Sequence, residues 1–287
     1  MIWDVILDTL LDVAKLVPFL YLAYLLMEFL EHRAGGATER LLSRSGKVGP
    51  LIGGAMGLLP QCGFSAAASG LYAGRVLTTG TLLAVYLSTS DEMLPIMISH
   101  GIFPWKLLLM KFAVGVTAGF AIDLLTWLIF RNRSRTPHGS FEEICEREHC
   151  HCEDHFALSA LKHTLRIVGF LLLFTFLLNL GVELLGEEKL AAVLTGRPFL
   201  GTFLASLVGL LPNCAASVVL TELYLDGLLG AGPLLAGLLV NAGVGLLVLF
   251  RNNRPVWDSL RVLGILWGIG FGVGLLTELT AIGSWIG

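Results

Sequence analysis

Charge is scarce in this sequence. Only 14% of its 287 residues are Asp, Glu, Lys or Arg, where a soluble domain carries about 25%. That excludes an ordinary cytosolic enzyme, a disordered protein and a nucleic-acid binder. Cysteines are few and odd in number (Cys62, Cys145, Cys150, Cys152 and Cys214), so no disulfide framework is expected. No basic stretch or small-residue cleavage site marks the first apolar run, so a cleavable signal peptide is not expected. No Gly-x-x-x-x-Gly-Lys-Ser/Thr loop occurs, and an ATPase of that type is not built in.

Apolar side chains make up 55% of the chain, and mean hydropathy is +0.78. They lie in runs at about 13–30, 48–74, 79–98, 106–130, 164–185, 198–225, 228–250 and 259–285. A spanning helix needs about 20 residues. The fold class is therefore an all-α polytopic membrane protein, with eight spans on a naive count.

An internal repeat changes that count. Residues 57–95 align without gaps to 209–247, at an offset of 152, with 15 of 39 positions identical. Shared leucines are cheap in such a composition. Pro60/Pro212, Cys62/Cys214, Ser65/Ser217, Tyr72/Tyr224 and Gly80/Gly232 are not, and Gln61/Asn213 is a conservative pair among them. Trp105/Trp257 extend the offset into the next run. The chain reads as a tandem duplication, an arrangement typical of transporters. Repeat 1 covers 1–130, a linking loop 131–160, and repeat 2 covers 161–287.

Lys and Arg collect in cytoplasmic loops. Here they follow the first run (Arg33, Arg40, Arg44, Lys47), the fourth (Arg131, Arg133, Arg135) and the seventh (Arg251, Arg254). Eight full crossings would put these clusters on opposite sides. If runs two and six enter and return on one side, all three clusters and Arg75 become cytoplasmic. Each repeat then has three transmembrane helices plus one re-entrant helical hairpin, at about 48–74 and 198–225, and the two repeats have inverted topology. The N- and C-termini fall outside the cytoplasmic (inner) membrane, and the 131–160 loop falls inside. Lengths agree: pieces 48–59 and 62–73 have 12 residues each, roughly 18 Å as helix against a core of about 30 Å. Pro60 interrupts the helix between them. Proline-kinked spanning helices are the alternative.

In the hairpin reading, Pro60-Gln61-Cys62 and Pro212-Asn213-Cys214 are tips near the midplane. Each starts a return half-helix whose free N–H groups and positive dipole end point inward. Gln61, Cys62, Ser65, Asn213, Cys214, Ser217 and Asn241 are the candidate substrate-binding residues. The thiols of Cys62 and Cys214 add soft ligands for a metal or metalloid. The third run carries Ser88-Thr89-Ser90-Asp91-Glu92 past the middle of an expected helix of about 20 residues. A charge at the bilayer centre costs roughly 2.5–3.5 kcal/mol on the insertion scale. The second copy reads Val240-Asn241-Ala242-Gly243-Val244, without acids. These five residues of the third run are therefore candidates for coupling or cation binding, and Asp91 and Glu92 for metal binding. A structural pair with Lys106 or Lys111 is the bland alternative for the acids. For Tyr72 and Tyr224 an interfacial anchor is the favoured role.

The 131–160 loop is acidic and carries Cys145, His149, Cys150, His151, Cys152 and His155. Thiols and imidazoles suit zinc-like ions, and three thiols suit trivalent arsenic. A metal-capture loop is one reading and an acidic linker the other, since the spacing matches no standard zinc finger.

Two segments carry a resemblance. Gly57-Leu-Leu-Pro-Gln-Cys-Gly-Phe-Ser-Ala66 with Gly80 through Glu92, and Leu211-Pro-Asn-Cys-Ala-Ala-Ser217 with Asn241-Ala-Gly-Val-Gly245, resemble the paired signatures of the ten-transmembrane heavy-metal exporters. That family is labelled as arsenic efflux permeases or manganese transporters. The resemblance spans nearly the whole chain, and ten segments equal six spans plus four half-helices. It implies a secondary-active exporter, not an enzyme. The partners expected are a metal or metalloid ion and the lipid bilayer, with no nucleic acid, no cofactor beyond a bound metal ion, and a homodimer as an admissible assembly. The alternative is a proton- or cation-coupled transporter of an oxyanion or organic anion. A membrane enzyme using Asp91 and Glu92 as an acid–base pair is a third, weaker reading.

Overall fold

A computed structural model describes residues 48–59, 62–90, 92–130, 198–212, 215–253 and 255–280, plus isolated helical positions at 10–25 and 161–176. Ten helices order the continuous segments: α1 Gly49–Gly57, α2 Cys62–Ala73, α3 Thr79–Ser88, α4 Met93–Ser99, α5 Trp105–Phe130, α6 Pro198–Gly209, α7 Ala215–Leu225, α8 Ala231–Val240, α9 Gly245–Asn252 and α10 Val256–Leu279. The described residues are all-helical, with no strand among them. Three stretches are long and apolar enough to cross a membrane: Trp105–Ile129, Ala231–Asn252 and Val256–Leu279.

The five helices of one half recur in the other. α3 begins at Thr79 and α8 at Ala231, 152 residues apart, and the packing recurs with them. α3 is clasped by α1 and α5, and α8 by α6 and α10. Small residues make these contacts close, as between membrane helices. Gly49, Gly53 and Gly57 of α1 are all buried. A Cβ on Gly57 would lie 2.6 Å from the Val85 carbonyl oxygen. In α6 the matching stripe is Gly201, Ala205 and Gly209, and Gly209 abuts Gly237 of α8.

The last pair departs from the 152 offset. Gly119 of α5 meets the Gly80 carbonyl, and Gly274 of α10 meets the Gly232 carbonyl. Those glycines are 155 apart, so α5 and α10 correspond after a shift of nearly one helical turn. The expected equivalence of Trp105 and Trp257 fails for that reason. Identity of one residue in a Leu- and Gly-rich run does not fix register; the glycine contacts do.

The halves interlock. α2 packs along α9, and α7 packs on α4, so each half's second helix lies on the other half's fourth. α3 and α8 also touch. They form the centre: every residue from Gly80 to Ser88 and from Gly232 to Val240 is buried. The long helices α5 and α10 form the outside. Their candidate spans are only 11% and 28% buried, against 94% for Ala231–Asn252. Leu124, Leu125, Trp127 and Ile129 are exposed on α5, and Trp257, Leu276 and Leu279 on α10. Half-buried Trp267 of α10 stacks on Phe271 at 5.5 Å and donates its indole N–H to Ser206 Oγ of α6 at 3.0 Å.

One sequence expectation is overturned here. The third run is not one helix through Ser88–Glu92: α3 ends at Ser88, and α4 starts at Met93. The second copy breaks at the same place, between Val240 and Gly245. Backbone preferences explain it. Thr89 takes ψ 125° and Asn241 ψ 96°, which leave the helical region. Pro95 sits in the first turn of α4, where its missing N–H costs nothing; inside a continuous helix it would clash. In the second copy Gly243 adopts φ +52°. Asn241 Oδ1 accepts the Gly243 N–H at 3.0 Å, a local turn that competes with helix.

Candidate functional site

A helix that stops inside a bundle leaves its last carbonyls and its successor's first N–H groups without helical partners. Two such breaks, 89–92 and 241–244, lie in the buried centre. The hydroxyls of the first break serve it directly. Ser90 donates to the Leu58 carbonyl, just past the end of α1, at 2.8 Å. Thr89 donates back to Val85 O at 2.7 Å. Ser88 Oγ is buried and has no hydrogen-bond partner among the described residues. It faces Gly115 of α5, where a Cβ would strike it.

Lys111 joins the two breaks. It lies on α5, one turn before Gly115, and is 1% exposed. Its ammonium donates to the Thr89 carbonyl at the end of α3 and to the Leu238 carbonyl in the last turn of α8, the latter at 2.8 Å. Both acceptors belong to the negative dipole ends of helices. At the matching place in the other half stands Leu266, fully buried, by the 155 register. A charge in one copy of an apolar span, with Leu in the other, was the available signal for Lys111. The sequence alone offers it as an ion-pair partner of Asp91 or Glu92.

The second break meets the first half's α2. Gly245, at the start of α9, lies so close to Ser65 that a Cβ would be 2.9 Å from its backbone. Ser65 is fully buried. One turn on, Ser69 Oγ contacts Ser65 O at 2.6 Å, Gly245 O at 2.8 Å and Tyr86 OH at 2.6 Å. Tyr86 OH also reaches Gly245 O at 3.2 Å. Thus α2, α3 and α9 are tied by Ser69 and Tyr86, neither of which was singled out in the sequence. In the second half Ser217 is buried, and its carbonyl accepts Thr221 Oγ1 at 2.7 Å.

The structure therefore brings Ser65 to the 241–245 break, and Ser88, Thr89 and Ser90 to the other. Asn241 is buried there, with its Oδ1 turned to Gly243. Glu92 is half-buried beside α4. Gln61, Asp91, Asn213, Cys214, the Cys62 side chain and the loop residues Cys145, His149, Cys150, His151, Cys152 and His155 lie outside the described residues. Among the described residues no three His, Cys, Asp or Glu side chains gather into a metal-binding group.

Away from the centre, Tyr72 corrects another expectation. It is 3% exposed, not an interfacial anchor. Its hydroxyl donates to Asp258 Oδ2 of α10 at 2.8 Å. Asn253 Nδ2 donates to the same oxygen at 3.0 Å, and Arg75 Nη1 lies 3.4 Å from it. The repeat-related Tyr224 instead borders a cavity of about 260 Å³ lined by Met97, Ile102, Phe103, Lys106 and Leu225. So Tyr72 is tied into a hydrogen-bonded junction, while Tyr224 lines a cavity.

Comparison with family models, with curated proteins and with solved structures finds no match to this chain.

Proposed function

We propose that the chain is a secondary-active transporter of the cytoplasmic membrane that exports a heavy metal or metalloid, arsenic or a divalent metal such as manganese. In this reading the halves are inverted in the bilayer. α1–α2 and α6–α7 are re-entrant hairpins entering from opposite sides. Substrate binds at the midplane, between the hairpin tips at Gln61-Cys62 and Asn213-Cys214 and the breaks at 89–92 and 241–244. The observation that carries the reading is the pair of broken helices at equivalent places in the core. Irregular backbone at membrane depth is tolerated only inside protein or along a polar cavity, and transporters place their substrate there. Rocking of one interlocked half against the other would expose the site to each side in turn. Asp91 or Glu92 would carry the coupling proton or contact a cationic substrate, and the His/Cys loop would gather metal at the cytoplasmic face.

The test is uptake into inverted membrane vesicles, across a panel of metals, metalloids and oxyanions, with and without a proton gradient. Accumulation of a metal or metalloid that collapses with the gradient is expected. Uptake of none of them overturns the reading.

A second reading, transport of an oxyanion or organic anion, is favoured by the helix N-termini of α2, α7 and α9 at the centre, which offer N–H donors to negative charge. A Cys62→Ser/Cys214→Ser variant separates the two. Loss of transport supports thiol ligation, and full retention supports the anion.

A further inference from the structure

The Lys111 ammonium occupies a place built for a cation. The C-terminal ends of α3 and α8 come together at the centre, and each presents a carbonyl released by its break: Thr89 O and Leu238 O. Main-chain carbonyls at helix C-termini, carrying the negative dipole end, are what a hard monovalent cation takes as ligands. Two such ends would repel each other if nothing positive lay between them. Lys111 reaches in from α5 and is only 1% exposed. The other half holds apolar Leu266 at this position. Among the described residues this seat is filled from within the chain.

We propose that the ends of α3 and α8 form a monovalent-cation seat of which Lys111 is the tethered occupant, so that the protein needs no free alkali ion there. The inference goes beyond the transport reading and does not depend on what is carried. It predicts that removing the tether without refilling its volume converts the protein into one that takes up a free alkali cation.

The experiment uses the full chain purified in detergent and follows thermal unfolding. Wild type, Lys111→Ala and Lys111→Met are compared in choline, sodium, lithium and potassium chloride at constant ionic strength. Lys111→Ala should melt several degrees below wild type in choline. Sodium, lithium or potassium should recover at least half of that loss, saturably with concentration. Lys111→Met keeps the volume filled and should show no such recovery, and wild type should be indifferent to the cation. Any of three results overturns the proposal. Lys111→Ala is as stable as wild type in choline; or its loss is equal in all four salts; or wild type gains as much from the alkali ions. Should Lys111→Ala not be recovered folded from choline, extraction in each chloride is the readout. Recovery in an alkali chloride alone supports the seat. Recovery in none, for both Lys111→Ala and Lys111→Ser, overturns it.

Discussion

Asp123 Oδ1 accepts the backbone N–H of Gly80 at 2.8 Å. Its other oxygen accepts the Thr78 hydroxyl at 2.7 Å. In the second half Glu278 Oε2 accepts the Gly232 N–H at 3.2 Å. Each long outer helix thus caps the start of the central helix it covers, neutralising a positive dipole end with a carboxylate. Asp123→Ala is expected to cost about 1–2 kcal/mol of stability, the range for losing a helix cap. Glu278→Ala should cost less, since it makes the longer bond and Thr78 is replaced by Gly230. The sites are on opposite halves, so the double variant should be additive to within about 0.5 kcal/mol. Unfolding in detergent, monitored by tryptophan fluorescence, measures all three.

The junction around Tyr72 makes a second prediction. Asp258 Oδ2 receives Tyr72, Asn253 and Arg75 together. Arg75 holds φ +61°, a left-handed conformation costly for a residue with a Cβ; the repeat-related turn uses Gly227 at φ +72°. The guanidinium lies 5.9 Å from the Tyr72 ring and binds Asp258, so the strained turn is held by the network. Tyr72→Phe should destabilise by about 1 kcal/mol and Asp258→Ala by about 2 kcal/mol or more, because the latter leaves several donors unpaired. The pair should be non-additive by at least about 0.5 kcal/mol in a double-mutant cycle. Additive losses would mean that the junction is not one unit.

Much of this arrangement was legible beforehand. Pro60/Pro212, Cys62/Cys214 and Gly80/Gly232 fix the 152 offset, because such residues recur for backbone or chemical reasons and not for hydropathy. The helix boundaries at 79 and 231 follow it. The breaks were hidden by continuous hydropathy through 79–98, although Pro95 marks one and Gly243 the other. The change of register to 155 was hidden because α5 and α10 face outward on most of their length, where any apolar residue serves. The exchange of α2 and α7 between halves leaves no sequence periodicity at all. Ser65, Ser88, Thr89 and Ser90 are legible as buried polar positions because hydroxyls stand out in apolar runs. Tyr86 stays hidden because its counterpart Leu238 makes the position look like ordinary core, and Lys111 reads only as an ion-pair partner because its carbonyl acceptors come from two other helices.

Close helix contact gives a third prediction, with a built-in control. A Cβ on Gly57 would lie 2.6 Å from the backbone oxygen of Val85, and one on Gly237 would meet Leu220 Cδ1 at 2.3 Å and the backbone oxygen of Ala205 at 2.9 Å. Gly57→Ala and Gly237→Ala must push whole helices apart and should destabilise by about 1–3 kcal/mol. On α10, Gly264 and Gly268 have nothing within 4 Å of a Cβ. Alanine there should be neutral or stabilise by up to about 1 kcal/mol, from helix propensity alone. Equal losses at all four glycines would argue against close packing of α1 on α3 and α6 on α8.

The tie at the second break bears on both stability and transport. Ser69 Oγ contacts Ser65 O, Gly245 O and Tyr86 OH, so it fastens α2 of one half to α9 of the other beside the site. Ser69→Ala removes a buried donor and leaves Tyr86 OH with only Gly245 O, at 3.2 Å, among its described partners. A loss of about 1–3 kcal/mol is expected. Tyr86→Phe should cost less than Ser69→Ala, because Ser69 keeps a carbonyl acceptor within reach of its one proton. If substrate binds beside the 241–244 break, as the transport reading has it, the two substitutions should also alter vesicle uptake, and by more than the cap variant Glu278→Ala at equal loss of stability. Uptake that falls only in proportion to stability, for all three variants alike, would place the binding site elsewhere.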